Sequence, residues 1–263
     1  MPVTAPYAVL QRNAARPTAE QIRRAFRSFR HLTDADAVRL AANAQGILQR
    51  QLSADAARAF HRALQAEGVA AAIVTEGELR LLPPSRSLHR LGLTEAAFEV
   101  YDLYGHPTAV AWRELALVAA GAVRHHELNH PRAERPAIAL EPGCGDRPVS
   151  RGETGWQLIL ELVLSAGAVR YEINADEFPF RYALDRPDLS KVEKFVWLVR
   201  EICRRATGAI LNRGARDVHE GTELVRGYPH RQMFYDEMTW LLWNAAQTKR
   251  VAGVERDHDE TPS

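Results

Sequence analysis

The chain has 263 residues, of which 46% are hydrophobic and 25% charged, with a formal net charge of +1. That length is long for one domain and comfortable for two, and the composition is that of a globular protein able to bury its own cores. A net charge this small excludes bulk electrostatics as a route to nucleic acid or an anionic membrane, and two cysteines without a C-x-x-C pair exclude a disulfide framework.

The start, "MPVTAPYAVL", lacks the apolar core of a signal peptide, and the longest apolar runs are far short of a membrane span. A cytoplasmic protein without a transmembrane segment is expected. "YAVLQ" reads as a short strand. Thr18 and Gln21 are spaced as a capping box, so a helix should begin there, with Ile22, Phe26 and Phe29 as one apolar stripe. Arg23, Arg24, Arg27 and Arg30 fall between the stripe positions. They form either a solvated helix face or a contact surface for phosphate or an acidic partner. "LTDADAVRLAANAQG" reads as a second helix ending at Gly46. "ILQRQL" reads as a short strand, and Ser53 caps a helix over "ADAARAFHRALQAEG" with Ala56, Ala57, Phe60 and Leu64 inward. "VAAAIV" is a buried-type strand, and "TEGELRLLPP" predicts a turn and a last strand before Pro83-Pro84.

The order is β-α-α-β-α-β, which one sheet with helices on one face would satisfy. In order and length of elements, the segments "YAVL", "LTDADAVRLAANAQGIL" and "AFHRALQAEGVAAAIV" resemble the adaptor domain of ClpS and the C-terminal domain of the bacterial ribosomal stalk protein. The resemblance covers the first third of the chain and implies partner binding without a catalytic centre. The residues of the ClpS peptide pocket have no counterpart here, so no site is carried over.

"LLPPSRSLHRLG" reads as a linker, since Pro83-Pro84 cannot sit inside a sheet. "AAFEVYDLYGHPTAVAWREL" is strand, turn, strand, with the turn at Tyr104–Pro107, and "ALVAAGAVRHHE" is a third run. The stretch around Cys144, rich in Pro, Gly and charge, predicts a long exposed loop. "WQLILELVLSAGAVRYEINADEFPFRY" carries the clearest alternation. Leu158, Leu160, Leu162 and Leu164 share a face with Trp156, Ala166-Gly167 turns the chain, and Val169, Tyr171 and Ile173 alternate with Arg170, Glu172 and Asn174. Asp176, Phe178, Phe180 and Tyr182 extend the alternation. Ser190 and Glu193 then form a capping box for a helix with Val192, Phe195, Val199, Ile202 and Ala206 inward. A small buried residue is expected at Cys203. "AILNRGARDVHEG" is a link of undefined structure. "YPHRQMFYDEMTWLLWNAA" is a last helix with Phe234, Met238, Leu241 and Ala245 inward, and Trp240 and Trp243 read as core rather than as a docking surface. The tail is polar and expected to be disordered. Strands followed by an amphipathic helix resemble the pleckstrin-homology-like layout. The strings "VYDLYG", "RYEINADEF", "LNRGA" and "WLLW" resemble a bacterial protein family without an established activity, which implies no function.

One motif points to chemistry. His126-Glu127-Leu128-Asn129-His130 matches H-E-x-x-H, in which two histidines bind zinc and the glutamate activates water. The chemistry needs a helix, where positions i and i+4 lie about 5–6 Å apart; extended chain would separate them by about 13 Å. Pro131 disfavours helical geometry at His130, and "VAAGAVRH" before it is a plausible strand. The third histidine of the longer pattern is missing, with Ala133 and Pro136 where its glycine and histidine would stand. A downstream ligand could be Glu153 or Glu161, but Glu161 alternates with a leucine stripe on a strand. No metal site is assigned, and His125, His126, Glu127 and His130 stand as the candidates.

The reading is an α+β protein. A small module over 1–82 is followed by a linker over 83–97, a mostly antiparallel β module with C-terminal helices over 98–250, and a tail over 251–263. The expected function is non-catalytic protein interaction, as adaptor or scaffold, with a protein partner and no cofactor or catalytic residue. The alternatives are a metal-dependent hydrolase using HELNH, and binding of an anionic ligand through Arg23, Arg24, Arg27 and Arg30.

Overall fold

The first strand sits at the centre of a sheet in the computed structural model, which describes residues 6–12, 17–29, 46–79, 81–102, 104–124, 155–165, 169–184, 186–222 and 225–259. β1 (Tyr7–Gln11) pairs antiparallel with β2 (Ile47–Leu52) on one side and β3 (Ala71–Thr75) on the other. Both its faces are covered, which is why Ala8 to Gln11 are all buried. Two helices lie on one face. α1 (Ala19–Phe29) starts at the capping box, with Thr18 N–H donating to Gln21 Oε1 at 2.9 Å and Gln21 N–H to Thr18 Oγ1 at 3.2 Å. α2 (Ala54–Ala66) is capped by Ser53 Oγ, which accepts from Ala56 N–H at 3.2 Å. Ile22, Phe26, Phe60 and Leu64 make the core between them and the sheet, and the Phe26 and Phe60 rings lie 4.7 Å apart.

The helix expected over "LTDADAVRLAANA" lies outside the described residues. The last strand expected in "TEGELRLLPP" does not form among the described residues. Glu76–Glu78 make a 3-10 turn instead, Leu79 turns into the core and Leu81 is 90% exposed.

The rest of the chain builds two further sheets. β4 (Ser85–Ser87) and β5 (Leu91–Leu93) both fall inside the segment expected as a linker. Pro83-Pro84 thus leads straight into strands, and the prolines end no further along than the residue before β4. β5, β6 (Ala97–Tyr101) and β7 (Pro107–Ala111) form an antiparallel three-stranded sheet. β8 (Leu115–Arg124), β9 (Trp156–Leu164) and β10 (Arg170–Asn174) form the antiparallel centre of a six-stranded sheet. β4 adds to β10 in parallel, and β11 (Ile210–Leu211) and β12 (Gly227–Tyr228) both add in parallel to the outer edge of β8.

The expected extension through Phe178, Phe180 and Tyr182 is not a strand. The chain turns at Ala175–Glu177 and makes a 3-10 turn at Phe180–Tyr182, burying Phe178 and Phe180 edge to face. α3 (Lys191–Arg205) follows its capping box, with Ser190 N–H donating to Glu193 Oε2 at 2.7 Å, although Val192 faces solvent. The undefined link resolves into β11 and a short helix, α4 (Arg213–His219). The last helix, α5 (Arg231–Asp259), runs on through most of the tail expected to be disordered.

The layers follow from which faces are apolar. One face of the central sheet, with Val118, Leu160, Leu162 and Ile173, packs against α3, α4 and the β5–β7 sheet. The other face, with Leu117, Ala119, Ile159 and Val163, packs on Phe234 and Met238 of α5. The opposite side of α5 presents Trp240 and Trp243 to Ala8, Leu10, Ile47, Ala72 and Val74 of the first sheet. α5 therefore lies between two sheets. Gly46, at φ 74°, closes this contact, because a Cβ there would stand 2.6 Å from the Trp240 ring.

Candidate functional site

Sandwiching α5 leaves a cleft of about 400 Å³ where its first turns meet β2 and β10. It is lined on one side by Arg50, Gln51 and Glu76, on the other by Arg170, and at its base by Gln232, Tyr235 and Thr239. Arg50 is fixed from two sides, with Nη1 3.1 Å from Glu76 Oε2 and Nε 3.1 Å from Asp236 Oδ1. Gln51 has φ 57°, the one non-glycine residue with positive φ among the described residues, and its N–H donates to Glu76 Oε1 at 3.0 Å. A left-handed glutamine costs about 1–2 kcal/mol, so Glu76 holds a strained backbone at the rim. Burial raises the Asp236 pKa, opposed by its bonds to Gln232 and the nearby Arg50.

Behind Arg170 stands a buried acid. The antiparallel register places Glu161 opposite Glu172 and Val163 opposite Arg170, so all four point toward α5. Arg170 Nη1 donates to Glu161 Oε1 at 3.0 Å and Nε to the Pro83 carbonyl at 2.9 Å, while the guanidinium lies 4.7 Å over the Tyr235 ring. Glu161 is fully buried. Burial pushes its pKa up to about 8; Arg170 pulls it down and Glu172 across the strand pushes it further up. Glu161 is thus protonated at neutral pH. Its Oε2 has no hydrogen-bond partner among the described residues, and Glu172 across the strand accepts from Arg231 Nη2 at 3.2 Å.

A second polar cluster is fully spent on structure. β11 and β12 leave a gap along β8, and the Asn212 side chain fills it: Oδ1 accepts from Ala120 N–H at 2.9 Å and Nδ2 donates to the Ala120 carbonyl at 3.1 Å. The same side chain caps α4 through Ala215 N–H at 2.8 Å and donates to Tyr228 Oη at 3.1 Å. Tyr228 in turn donates to Glu237 Oε2 at 2.8 Å, and Arg213 makes a bidentate pair with Glu237 at 2.9 Å. Burial opposes the Glu237 charge, yet these bonds outweigh it and hold its pKa below the usual range.

Of the residues singled out in the sequence, Arg23 pairs with Glu20 at 2.7 Å and Arg24 with Glu67 at 2.8 Å, Arg27 lies on the exposed side of α1, and Arg30 lies outside the described residues. β8 runs to Arg124, the residue before the histidine stretch; His125, His126, Glu127 and His130, like Cys144 and Glu153, lie outside the described residues. Glu161 sits in the buried middle of β9, against α5. Cys203 is buried, as expected, and burial pushes its thiol up to about 12. The Tyr101–Tyr104 stretch belongs to the β6–β7 hairpin. Tyr101 Oη donates to Glu99 at 2.8 Å, and Asp102 accepts from the N–H groups of Tyr104 and His106 at 2.9 and 2.8 Å. No helix among the described residues is long and apolar enough to cross a membrane.

Sequence reasoning missed the cleft entirely. Arg50, Arg170 and Tyr235 come from three strings with no shared spacing; a single arginine inside each strand pattern was the faint signal. Comparison of the chain with protein-family models, with curated proteins and with solved structures returned no match in any of the three.

Proposed function

We propose that this chain is a non-catalytic protein-interaction protein of the adaptor or scaffold kind. The observation that carries the reading is the tip of the β6–β7 hairpin. Tyr104 stands there 87% exposed beside a set of local bonds: Asp102 Oδ1 accepts from the N–H groups of Tyr104 and His106, Asp102 Oδ2 lies 3.1 Å from His106 Nδ1, and Gly105 turns the chain at φ 84°. A large aromatic side chain on a preorganised turn binds a partner at low entropic cost, and tyrosine is among the residues that dominate interfaces. Supporting it, the Asn212–Tyr228–Glu237–Arg213 cluster is occupied by hydrogen bonds within the fold.

The test is affinity purification from the native host with the wild-type chain and with Tyr104→Ala, alongside thermal denaturation of both. The expected result is a partner retained by wild type and lost by the variant, with Tm unchanged, because Tyr104 covers no core. Equal capture by both chains moves the contact away from Tyr104, and capture of no partner by either overturns the reading. So does stoichiometric zinc lost on His126→Ala, which favours the metal-dependent hydrolase. An RNA or anionic-vesicle complex abolished by removing the charges of Arg23, Arg24 and Arg27 favours anionic-ligand binding instead.

A further inference from the structure

We propose that the cleft between β2, β10 and α5 is a binding site for a small ligand carrying a carboxylate or phosphate group, gripped by the Nη2 groups of Arg50 and Arg170. The site is independent of the hairpin tip.

Both arginines are held by the fold. Arg50 Nη1 bonds Glu76, while its buried Nε lies 3.1 Å from Asp236 Oδ1 as an ion pair without a hydrogen bond; Arg170 spends Nε on the Pro83 carbonyl and Nη1 on Glu161. Neither Nη2 is tied to a carboxylate, and a hydrogen bond with Tyr235 sets the Arg170 guanidinium at the base of the cleft. Two guanidinium groups held rigid from different strands on one cavity suit an oxyanion, because the ordering cost of the long side chains is already met by the fold.

On the Arg50 side two carboxylates, Glu76 and Asp236, face one guanidinium, so the positive side of the cleft is that of Arg170. Arg170 is 7% exposed, and its carboxyl partner Glu161 stays protonated at neutral pH, so this guanidinium faces the cleft without a full countercharge. The volume of about 400 Å³ takes a small molecule rather than a polymer. Strain at Gln51, on the rim, is of the sort that collects at ligand clamps.

The experiment titrates the full chain with inorganic phosphate in one arm and succinate in the other, at constant ionic strength against sodium chloride, reading heat and Tm. The expected result is saturable one-to-one binding in at least one arm, which also tells phosphate from carboxylate, and a rise in Tm. Arg50→Lys and Arg170→Lys keep the charge and lose the fork, and should each weaken binding by about tenfold or more. Failure to saturate in both arms overturns the proposal, as does unchanged affinity in both variants, which places the anion elsewhere. Should a lysine variant fail to fold, a fluorophore on Leu81→Cys at the mouth decides: a saturable change in emission with phosphate or succinate but not chloride supports the site, and no change overturns it. Both native cysteines are replaced by serine for that labelling.

Discussion

Trp240 in the last helix donates its indole N–H to the carbonyl of Gln11 in the first strand, at 2.7 Å, across 229 residues of sequence. Gln11 N–H donates to the Gly46 carbonyl, also at 2.7 Å, so the three residues form one buried joint between α5 and the first sheet.

Trp240→Phe keeps most of the apolar contact and removes the hydrogen bond to the Gln11 carbonyl, which costs about 0.5–1.5 kcal/mol. Trp240→Ala also opens a cavity and should cost about 3–5 kcal/mol. Urea denaturation followed by tryptophan fluorescence and by circular dichroism checks both. Because α5 belongs to both sheets, the two probes should move together; a separate early transition for the first sheet would contradict the shared helix.

Asn212→Ala removes four hydrogen bonds of a buried side chain and strands both polar groups of Ala120, an expected loss of about 2–4 kcal/mol. Asn212→Asp keeps the two acceptor contacts but loses the donors to Ala120 and Tyr228 and brings a charge near Glu237. It should be at least as damaging near neutral pH. Chemical denaturation midpoints decide; an aspartate variant as stable as wild type would refute the gap-filling role.

The buried acid sets a pH trend. An unfolded chain releases the Glu161 proton near the ordinary value of 4.5, whereas the fold keeps it until about 8. Between these values the folded state binds more protons, so stability falls as pH rises and levels off above about 8, with a slope of at most about 1.4 kcal/mol per pH unit. Glu161→Gln removes this contribution. The difference between variant and wild-type stability should therefore grow in favour of the variant from pH 5 to pH 8.5. A difference that stays constant over that window would show that Glu161 is ionised in the fold.

Cys203 should resist alkylation. Its thiol is buried and pushed up to about 12, so the thiolate is scarce and shielded. In a Cys144→Ser background, iodoacetamide should label the native chain far more slowly than the urea-unfolded chain, by on the order of a hundredfold or more. Equal rates would mean that α3 opens locally without global unfolding.

Much of the fold was readable. The capping pairs Thr18–Gln21 and Ser190–Glu193 mark two helix starts correctly, and the leucines of β9 mark one buried face. That strand is buried on its other face as well, under α5, through Ile159, Glu161 and Val163. Period-two reasoning assigns such a face to solvent once an acid stands in it. β4, β11 and β12 have two or three residues each, too few to carry a period. Asn212 is a readable helix cap, but its bonds to β8 depend on a partner 92 residues away. Alternation at Phe178 and Phe180 misled because a turn can bury two aromatic side chains two residues apart as well as a strand can. The cleft was invisible because its sides meet only when α5 is sandwiched.

That sandwich sets the order of events during synthesis. Ala8 and Leu10 leave the ribosome before the tryptophans that cover them, which are made roughly 230 residues later, about 10–50 s at ordinary translation rates of 5–20 residues per second. For that interval the growing chain carries an uncovered apolar sheet face. Its yield in a cell should depend on whatever chaperone shields nascent chains, and truncation before Trp240 should leave an insoluble product even though every strand of the first sheet is present.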